Sequence, residues 1–175
     1  DGVEMKYLVL GSEGQIGYAL KDFLLDKGHE VLEYDIVRSK YEDLRLTNNT
    51  LLEKKIYDCD FVFFLAFDVG GSRYLKKYQN TFDFLHNNIS LMKETFALLK
   101  KHNKKFIFAS TCSNYGISSY DEFAKESSPF NPVSLYAESK IDSENYIKNI
   151  ANNNFKTFSL RFATAYGVSY RTRFD

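Results

Sequence analysis

Short apolar runs alternate with longer amphipathic stretches along this chain, and the alternation gives the first indication of its architecture. The apolar runs predict strands at KYLVLG, EVLEYD, CDFVFFLAF, KKFIFAST and FKTFSLRFA, with a further short strand expected around YEDLRL. The run CDFVFFLAF is apolar at consecutive positions. Such a strand is typical of the centre of a parallel sheet that is covered on both faces.

The stretches between these runs have the apolar spacing of helices. Helices are predicted over residues 16–27, which Gly28 ends, over 46–56 with Thr47 or Asn48 as the N-cap, and over 82–101 and 134–151. Repeated alternation of strand and helix implies right-handed crossovers, with helices on both faces of the sheet. The sequence therefore predicts one α/β domain with a doubly wound parallel sheet.

Composition and charge exclude several classes of partner. The 175 residues suit one domain, and 23 basic residues balance 23 acidic ones, so no nucleic-acid partner is expected. The apolar runs are too short to cross a bilayer, so no membrane partner is expected. Two cysteines, Cys59 and Cys112, suit a reducing cytoplasm, and their distance from the three histidines predicts no metal site.

The segment GSEGQIG follows the first predicted strand and opens the first predicted helix. Free N–H groups and the helix dipole favour a pyrophosphate there, although Gly11, Gly14 and Gly17 are also compatible with a simple tight turn. Asp35 ends the second predicted strand, where a carboxylate accepts a hydrogen bond from an adenosine ribose. The pattern favours NAD over NADP, because this carboxylate repels a phosphate, while Arg38 nearby is a feature that suits NADP.

Tyr136 and Lys140 lie four residues apart in the last predicted helix and therefore share one of its faces. A phenol has a pKa near ~10 and is a poor base at neutral pH, but a neighbouring ammonium group stabilises the phenolate. Thr111, at the end of the preceding predicted strand, would hold a substrate oxygen against the phenol. Alternatively, Tyr136 is an ordinary half-buried aromatic residue and Lys140 is a solvated lysine. The presence of the glycine segment and Asp35 in the same chain favours the catalytic interpretation.

These motifs occur in an order that resembles the extended short-chain dehydrogenase/reductase family, in particular its NAD-dependent nucleotide-sugar epimerases and dehydratases. GSEGQIG resembles the family's GxxGxxG, SLYAESK its SxYxxSK and LRFATAYG its LRxxNxYG. STCSNYG occupies the place of the serine/threonine segment, and EDLRL resembles the Asp-Leu pair that packs on adenine. The resemblance extends from Lys6 to the C-terminus and implies a Rossmann fold that binds NAD and a nucleotide-sugar.

The resemblance also implies roles for individual residues. Tyr136 becomes the acid/base, Lys140 supports it and holds the nicotinamide ribose, Thr111 binds the reacting hydroxyl, and Asn88 supports a helix backbone and a proton-relay water. The implied catalytic residues are therefore Thr111, Tyr136, Lys140 and Asn88. The implied cofactor-binding residues are Gly11, Gly14, Gln15, Ile16, Gly17, Asp35, Asp43, Leu44, Leu65, Ala66 (at the end of the fourth predicted strand), Phe67, Tyr136, Lys140 and Phe162.

The implied function is that of a nucleotide-sugar epimerase, in which a sugar carbon is transiently oxidised by hydride transfer to NAD. A keto-sugar reductase, an epimerase-reductase, a dehydratase of the same family and a non-catalytic NAD-binding regulator are the alternatives. Members of the family commonly form homodimers through two helices. The apolar side chains expected in that contact, or else in one-sided packing on the sheet, are Leu91, Met92, Phe96, Leu99, Ile141 and Ile147.

The sequence also departs from the family pattern. Cys112 and Ser113 stand where the dehydratases carry an Asp-Glu pair, so 4,6-dehydration by that route is not expected. Thr164 replaces the asparagine of LRxxNxYG, which puts the usual contact with the substrate diphosphate in doubt. Gly70 and Gly71 resemble a Val-Gly-Gly stretch of some members and either line the sugar pocket or form a flexible turn.

In the family, a further stretch of comparable size supplies most of the nucleotide-sugar pocket. We therefore expect residues 1–175 to be the NAD-binding domain of a longer enzyme, an N-terminal fragment that lacks the substrate-binding C-terminal part. Such a fragment is expected to bind NAD but not to turn over a nucleotide-sugar at an enzyme-like rate, because substrate positioning contributes a large share of catalysis.

Overall fold

One parallel sheet forms the centre of the molecule. The computed structural model describes residues 2–117, 121 and 123–171. The strands found among them are β1 (Lys6–Leu10), β2 (Glu30–Tyr34), β3 (Phe61–Phe64), β4 (Phe106–Thr111) and β5 (Thr157–Phe162), in the order β2-β1-β3-β4-β5. Every pairing between them is parallel, which confirms the predicted doubly wound α/β sheet.

Helices cover both faces of this sheet. They are α1 (Gln15–Asp26), α2 (Thr50–Asp58), α3 (Ser72–Tyr78), α4 (Phe82–Lys101) and α5 (Leu135–Ile150). Right-handed crossovers place α1 on one face and α2, α4 and α5 on the other, and the contacts of α4 with both α2 and α5 agree with this arrangement. The strand order reverses at β1, so a crevice opens beyond the carboxyl ends of β1 and β3.

The central strand β3 is apolar on both of its faces, as the sequence predicted. On the face toward α4, the ring of Phe64 lies edge-on to Phe96 and Phe108, with centroids 5.4 and 5.5 Å away. On the opposite face, Phe63 contacts Tyr7 of the neighbouring strand at 5.5 Å. Burial of these rings on both sides supplies much of the driving force that fixes β3 at the centre.

The segment YEDLRL forms turns, so the prediction of a strand there is wrong. The Asp43 carboxylate accepts hydrogen bonds from the backbone N–H and the guanidinium of Arg45, both at 2.9 Å. The backbone N–H of Glu42 bonds to the carbonyl of Ser39 at 2.9 Å. Local closure of this kind competes with a strand ladder. The strand that precedes Ala66 is therefore the third strand along the chain and not the fourth.

The N-cap of α2 also differs from the prediction. The side chain of Asn49, and not that of Thr47 or Asn48, accepts a hydrogen bond from the backbone N–H of Leu52 at 3.0 Å. The same side chain donates to the hydroxyl of Tyr34 at 2.7 Å. This second, long-range bond explains the choice among neighbouring residues that are all able to cap a helix.

Helix α3 was not predicted. The sequence predicts that Gly70 and Gly71 either line the sugar pocket or form a flexible turn. Gly70 lines the cleft described below, and Gly71 is the N-cap of a helix of 7 residues. None of these residues is buried, so the helix has no apolar period that the sequence could reveal.

The side chains named for a dimer contact lie mostly inside the chain's own core. Burial within the chain leaves these side chains little surface for a dimer contact, so for them the structure favours the alternative of one-sided packing on the sheet. The buried members of the set are Leu91, Met92, Phe96, Leu99 and Ile147.

Candidate functional site

A cleft of about 620 Å³ opens at the reversal of strand order, between the carboxyl ends of β1 and β3. All the predicted cofactor-binding residues line it except Tyr136, Lys140 and Phe162. Further lining residues, which the sequence interpretation did not assign to the cofactor, include Tyr34, Arg45, Asp68, Asn87, Ala109 and Arg171. The parallel topology thus brings the glycine segment and the loop after β3 to the two walls of one cleft.

The glycine segment packs too closely for side chains. A Cβ at Gly17 would lie 2.0 Å from the carbonyl oxygen of Gly11, and one at Gly11, where φ is +88°, would lie 2.9 Å from the backbone nitrogen of Ala66. Gly14 is the N-cap of α1 and supplies no side chain to its first turn, which also contains no acidic residue. The first N–H groups of α1 therefore face the cleft without a capping side chain, which fits a pyrophosphate.

Asp35 lies directly after β2 and joins the glycine segment to the strand. Its carboxylate accepts hydrogen bonds from the backbone N–H groups of Glu13 at 3.0 Å and Val37 at 2.9 Å. A carboxylate offers about four lone-pair sites, so it retains capacity for a ribose hydroxyl. The position fits the role predicted from the sequence, at the wall of the cleft.

The adenine-side pair predicted from EDLRL lies at the same wall. Asp43 lines the cleft and forms a bidentate ion pair with Arg45, whose Nη2 lies 2.7 Å from Oδ2. This pairing lowers the pKa of the Asp43 carboxyl below its usual range. Leu44 is buried and also lines the cleft, so it presents an apolar contact for a flat ring.

Asn88 fixes the loop after β3. It is buried in α4, and its amide accepts from the backbone N–H of Asp68 at 2.7 Å and donates to the carbonyls of Asp68 and Phe84 at 3.1 and 3.0 Å. These bonds hold the end of the loop formed by Leu65, Ala66 and Phe67 against the helix. The structure thus places Asn88 behind the cleft wall, in contact with backbone.

Phe67 connects the cleft to the predicted catalytic pair. Its ring lines the cleft, lies edge-on to the ring of Tyr136 with centroids 5.7 Å apart, and lies 3.7 Å from Nζ of Lys140. Lys140 Nζ donates a hydrogen bond to the carbonyl of Ala109, a cleft residue of β4, at 2.7 Å. The one helical turn that carries both side chains therefore packs against the cleft wall.

The environment of Lys140 is unusual for a lysine. The side chain is 3% exposed, and three aromatic rings, those of Phe67, Phe108 and Tyr136, lie around its ammonium group. Burial lowers the pKa of Lys140 to about 7, although the Glu144 carboxylate acts in the opposite direction. The solvated-lysine interpretation is therefore wrong, and the structure supports a buried cation held by a carbonyl and aromatic faces.

Thr111 ends β4 and is buried. Its Oγ1 accepts from the backbone N–H of Ser113 and donates to the Ser113 hydroxyl, both at 3.1 Å. The backbone N–H of Asn131 bonds to the carbonyl of Asn114 at 3.0 Å, which ties the segment before α5 to the turn after β4. Phe162 pairs with Thr111 in the sheet but lines a separate depression beside Tyr115.

A buried polar network behind the site escaped the sequence interpretation. Glu144 accepts hydrogen bonds from Ser110 and Asn114, the latter at 2.9 Å, and pairs with Arg161 at 2.7 Å. Arg161 also donates to the Tyr115 hydroxyl at 2.6 Å. The network ties β4, α5 and β5 together one turn from Lys140. The signal available in the sequence was Glu144, four residues after Lys140 and thus on the same helix face.

Two further properties concern metals and membranes. Among the described residues, no group of three or more His, Cys, Asp or Glu side chains is placed to hold a metal ion. In that same part of the chain, no helix has the length and apolar character needed to cross a membrane.

A family model described as "NAD dependent epimerase/dehydratase family" matches residues 7–175. A UDP-glucose 4-epimerase from Streptococcus mutans is 30% identical, covering 82% of this chain and 46% of the relative. A probable UDP-glucuronate 4-epimerase from Rhizobium meliloti is 25% identical, covering 93% of this chain and 54% of the relative. This chain thus spans about half the length of the curated relatives it matches.

The fold has solved counterparts. The structure of TunA, described as a novel NAD-dependent NDP-hexosamine 5,6-dehydratase involved in tunicamycin biosynthesis, is 27% identical to this chain. It superposes with a TM-score of 0.74, covering 96% of this chain and 57% of TunA. The predicted Rossmann architecture therefore has close three-dimensional counterparts.

Proposed function

Because the chain belongs to the NAD-dependent epimerase/dehydratase family, we propose that it forms the NAD-binding part of a nucleotide-sugar 4-epimerase. The family's dependence on NAD agrees with the cofactor predicted from the sequence. The 4-epimerases from Streptococcus and Rhizobium support the substrate class and the position on the sugar. The activity belongs to the whole protein, since the chain spans about half of these relatives.

NAD would lie along the cleft, with its pyrophosphate at the N-terminus of α1 and its adenosine ribose at Asp35. Leu44 and Asp43 would flank the adenine, and the loop from Leu65 to Phe67 would form the opposite wall. When bound, NAD supplies the acceptor for a hydride from the sugar. The N-terminus of α1 supports this placement, because its first turn has neither a capping side chain nor an acidic residue that would oppose a phosphate.

Tyr136 would take the proton of the sugar hydroxyl as the carbon is oxidised and return it when the carbon is reduced from the other face. Lys140 would stabilise the phenolate by its charge and would bind the nicotinamide ribose. Thr111 would hold the reacting oxygen near the phenol. The observation that carries the proposal is the position of Tyr136 and Lys140 against Phe67, at the wall of the cleft that contains the glycine segment.

The test is turnover by the intact protein. UDP-glucose and UDP-glucuronate are each incubated with the protein and NAD, and the products are identified by NMR. We expect the C4 epimer of at least one substrate. Absence of any product from both, with NAD bound, would contradict the epimerase proposal and favour the regulator alternative.

A dehydratase is the second candidate, because TunA has this fold. Cys112 and Ser113, both exposed after β4, stand where the resemblance places the Asp-Glu pair of the 4,6-dehydratases, and they offer no carboxylic acid to a leaving hydroxyl by that route. This observation favours epimerisation. A dehydrated sugar nucleotide in the same NMR assay would reverse that preference.

We further propose that the protein is a homodimer through the outward face of α4. Phe82, His86 and Ile89 share this face; Phe82 is 79% and Ile89 59% exposed, and Phe82 stacks on His86. Ile89→Asp is expected to shift the protein to a monomer in light scattering. An unmodified protein that is monomeric at every accessible concentration would contradict the dimer.

A cytoplasmic location is also proposed. Cys59 and Cys112 are both free thiols, and Cys112 is exposed, which suits a reducing compartment. Cell fractionation tests this location, and recovery of the protein outside the cytoplasmic fraction would contradict it.

A further inference from the structure

Charges alternate around the carboxyl end of β2, next to the wall that Asp35 contributes to the cleft. This β2 charge cluster consists of Glu13, Lys21, Glu33, Arg38, Glu42 and Lys55. Arg38 is the member that would suit the 2′-phosphate of NADP, since a guanidinium binds phosphate well. Its partners therefore bear directly on which dinucleotide the cleft accepts.

Arg38 is held by three carboxylates. Its Nη1 lies 2.7 Å from Oε2 of Glu33 and 3.6 Å from Oε1 of Glu13, and its Nε lies 3.4 Å from Oε2 of Glu42. A phosphate that recruited this guanidinium would have to displace it from these contacts. The phosphate would then lie beside carboxylates that no longer had Arg38 between them.

The carboxylates that hold Arg38 are anchored in turn. Glu42 is buried, its Oε2 accepts from the backbone N–H of Asp35 at 2.9 Å, and its Oε1 pairs with Lys55 at 2.9 Å. Glu33 pairs with Lys21 at 2.7 Å. Because each carboxylate has a second partner, neither is free to follow Arg38 toward a ligand.

We propose that Glu33 and Glu42 determine the choice of cofactor by holding Arg38 in ion pairs and so withholding it from a 2′-phosphate. The proposal rests on the proposed function, since it concerns the same dinucleotide site. Glu33 and Glu42 are positioning residues, which act through Arg38. Asp35 then accounts for only part of the preference for NAD, and removing its charge alone leaves Arg38 where it is.

The experiment is a titration of NAD and of NADP into the intact protein, read as the ratio of the two Kd values by calorimetry. Asp35→Asn alone is expected to improve NADP binding by less than about tenfold. Adding Glu33→Gln and Glu42→Gln is expected to give a further gain of about tenfold, because Arg38 then keeps only its 3.6 Å contact with Glu13 and can turn to the phosphate. Adding Arg38→Ala is expected to abolish that further gain.

The matched control is Glu30→Gln, on the same strand. Glu30 pairs with Lys6 at 3.1 Å, at the amino end of β2 and away from the cleft, so the Kd ratio should not change. Should the variant of buried Glu42 fail to fold, Asp35→Asn combined with Glu33→Gln tests the same idea, because Glu33 makes the shortest contact with Arg38.

Two results would overturn the inference alone: no further gain in the combined variant, or a gain that persists without Arg38. In either case NAD binding by the unmodified protein would leave the proposed function intact. Failure of the unmodified protein to bind NAD would overturn the proposed function, and this inference with it.

Discussion

The cleft has a cation near each end, and the protein holds the two in opposite ways. Near the Asp35 end, Arg38 is partly exposed and surrounded by carboxylates, with Glu33 at 2.7 Å. Near the other end, Lys140 is 3% exposed and is held by a carbonyl and three aromatic rings, with no carboxylate ion pair among the residues that the structure describes.

Arg38 thus has its charge balanced by carboxylates of the protein, whereas Lys140 does not. The charge of Arg38 is compensated within the protein, so a ligand has little to gain from it. Burial lowers the pKa of Lys140 to about 7, which means that the charged form is costly until an anion or hydroxyl groups approach it. An ammonium group that is buried behind the cleft wall without a carboxylate partner has more to gain from a ligand than Arg38 has, and this agrees with the roles proposed for Lys140 and Tyr136.

The largest effect is expected at the Lys140 end. Tyr136→Phe removes the hydroxyl that would transfer the proton, so kcat in the intact enzyme should fall by about 10²–10⁴-fold. The Kd for NAD should change by less than about twofold, because Lys140 and the cleft wall remain. Steady-state kinetics with the active UDP-sugar, beside an NAD titration, measure both quantities. Ordinary turnover by this variant would contradict the assigned role.

The next effect concerns Arg161, a partly exposed cation that pairs with a buried anion. Arg161→Met leaves the buried Glu144 without its ion-pair partner, which should lower the free energy of unfolding by about 3–5 kcal/mol. Urea denaturation measures the change, and Glu30→Gln, which breaks an exposed pair, is the control. A change below about 1 kcal/mol would show that the network around Glu144 contributes little.

Lys140→Met should raise the free energy of unfolding, whereas Arg161→Met should lower it. The variant removes a desolvated ammonium group but leaves the Ala109 carbonyl without its partner, so a net stabilisation of about 1–3 kcal/mol is expected at pH 6. NAD affinity and activity should both fall. Since the folded-state pKa of Lys140 lies below its unfolded value, the wild-type protein gains stability as pH rises from about 7 toward 10.5.

The gap between wild type and Lys140→Met should therefore shrink over that pH window. Comparing the two proteins cancels the contributions of other groups, such as Tyr34, whose pKa is raised to about 12 by burial. Urea denaturation at pH 6 and pH 9 measures the gap. A gap that does not depend on pH would show that Lys140 titrates normally.

The smallest effect is expected at Arg38. Because Arg38 is partly exposed and its carboxylates keep Lys21 and Lys55 as partners, Arg38→Met should lower the free energy of unfolding by less than about 1 kcal/mol. Urea denaturation in low and high salt measures it. A loss as large as that of Arg161→Met would show that the exposed ion pairs of Arg38 contribute as much to folding as the pair with buried Glu144, contrary to this expectation.

The parts of the fold whose hydrophobic residues follow a clear pattern could be predicted from the sequence. The long helix was expected over the residues that α4 occupies, and the apolar run at β3 was expected at the centre of the sheet. The glycine segment was also placed correctly, because close approach of backbone to backbone demands glycine wherever it occurs.

Features that depend on distant partners could not be predicted. Asn49 caps α2, and its side-chain amide also donates a hydrogen bond to the hydroxyl of Tyr34, a distant partner that the local sequence does not reveal. Burial lowers the pKa of Lys140, and one of the side chains that buries it is Phe67, more than seventy residues away in the chain. In the sequence, Arg38 is a feature that suits NADP because it is an arginine. Its ion pairs with Glu33 and Glu42, which only the structure shows, favour NAD instead.

The central claim is that the Tyr136–Lys140 end of the cleft supports reversible hydride transfer from a nucleotide-sugar. The most direct measurement uses the active UDP-sugar with deuterium at C4, and mass spectrometry and NMR of the product formed by the intact protein with NAD. We expect the epimer to keep its deuterium at C4, and Tyr136→Phe to form almost none. Replacement of the deuterium by solvent hydrogen, or undiminished epimerisation by Tyr136→Phe, would contradict the account.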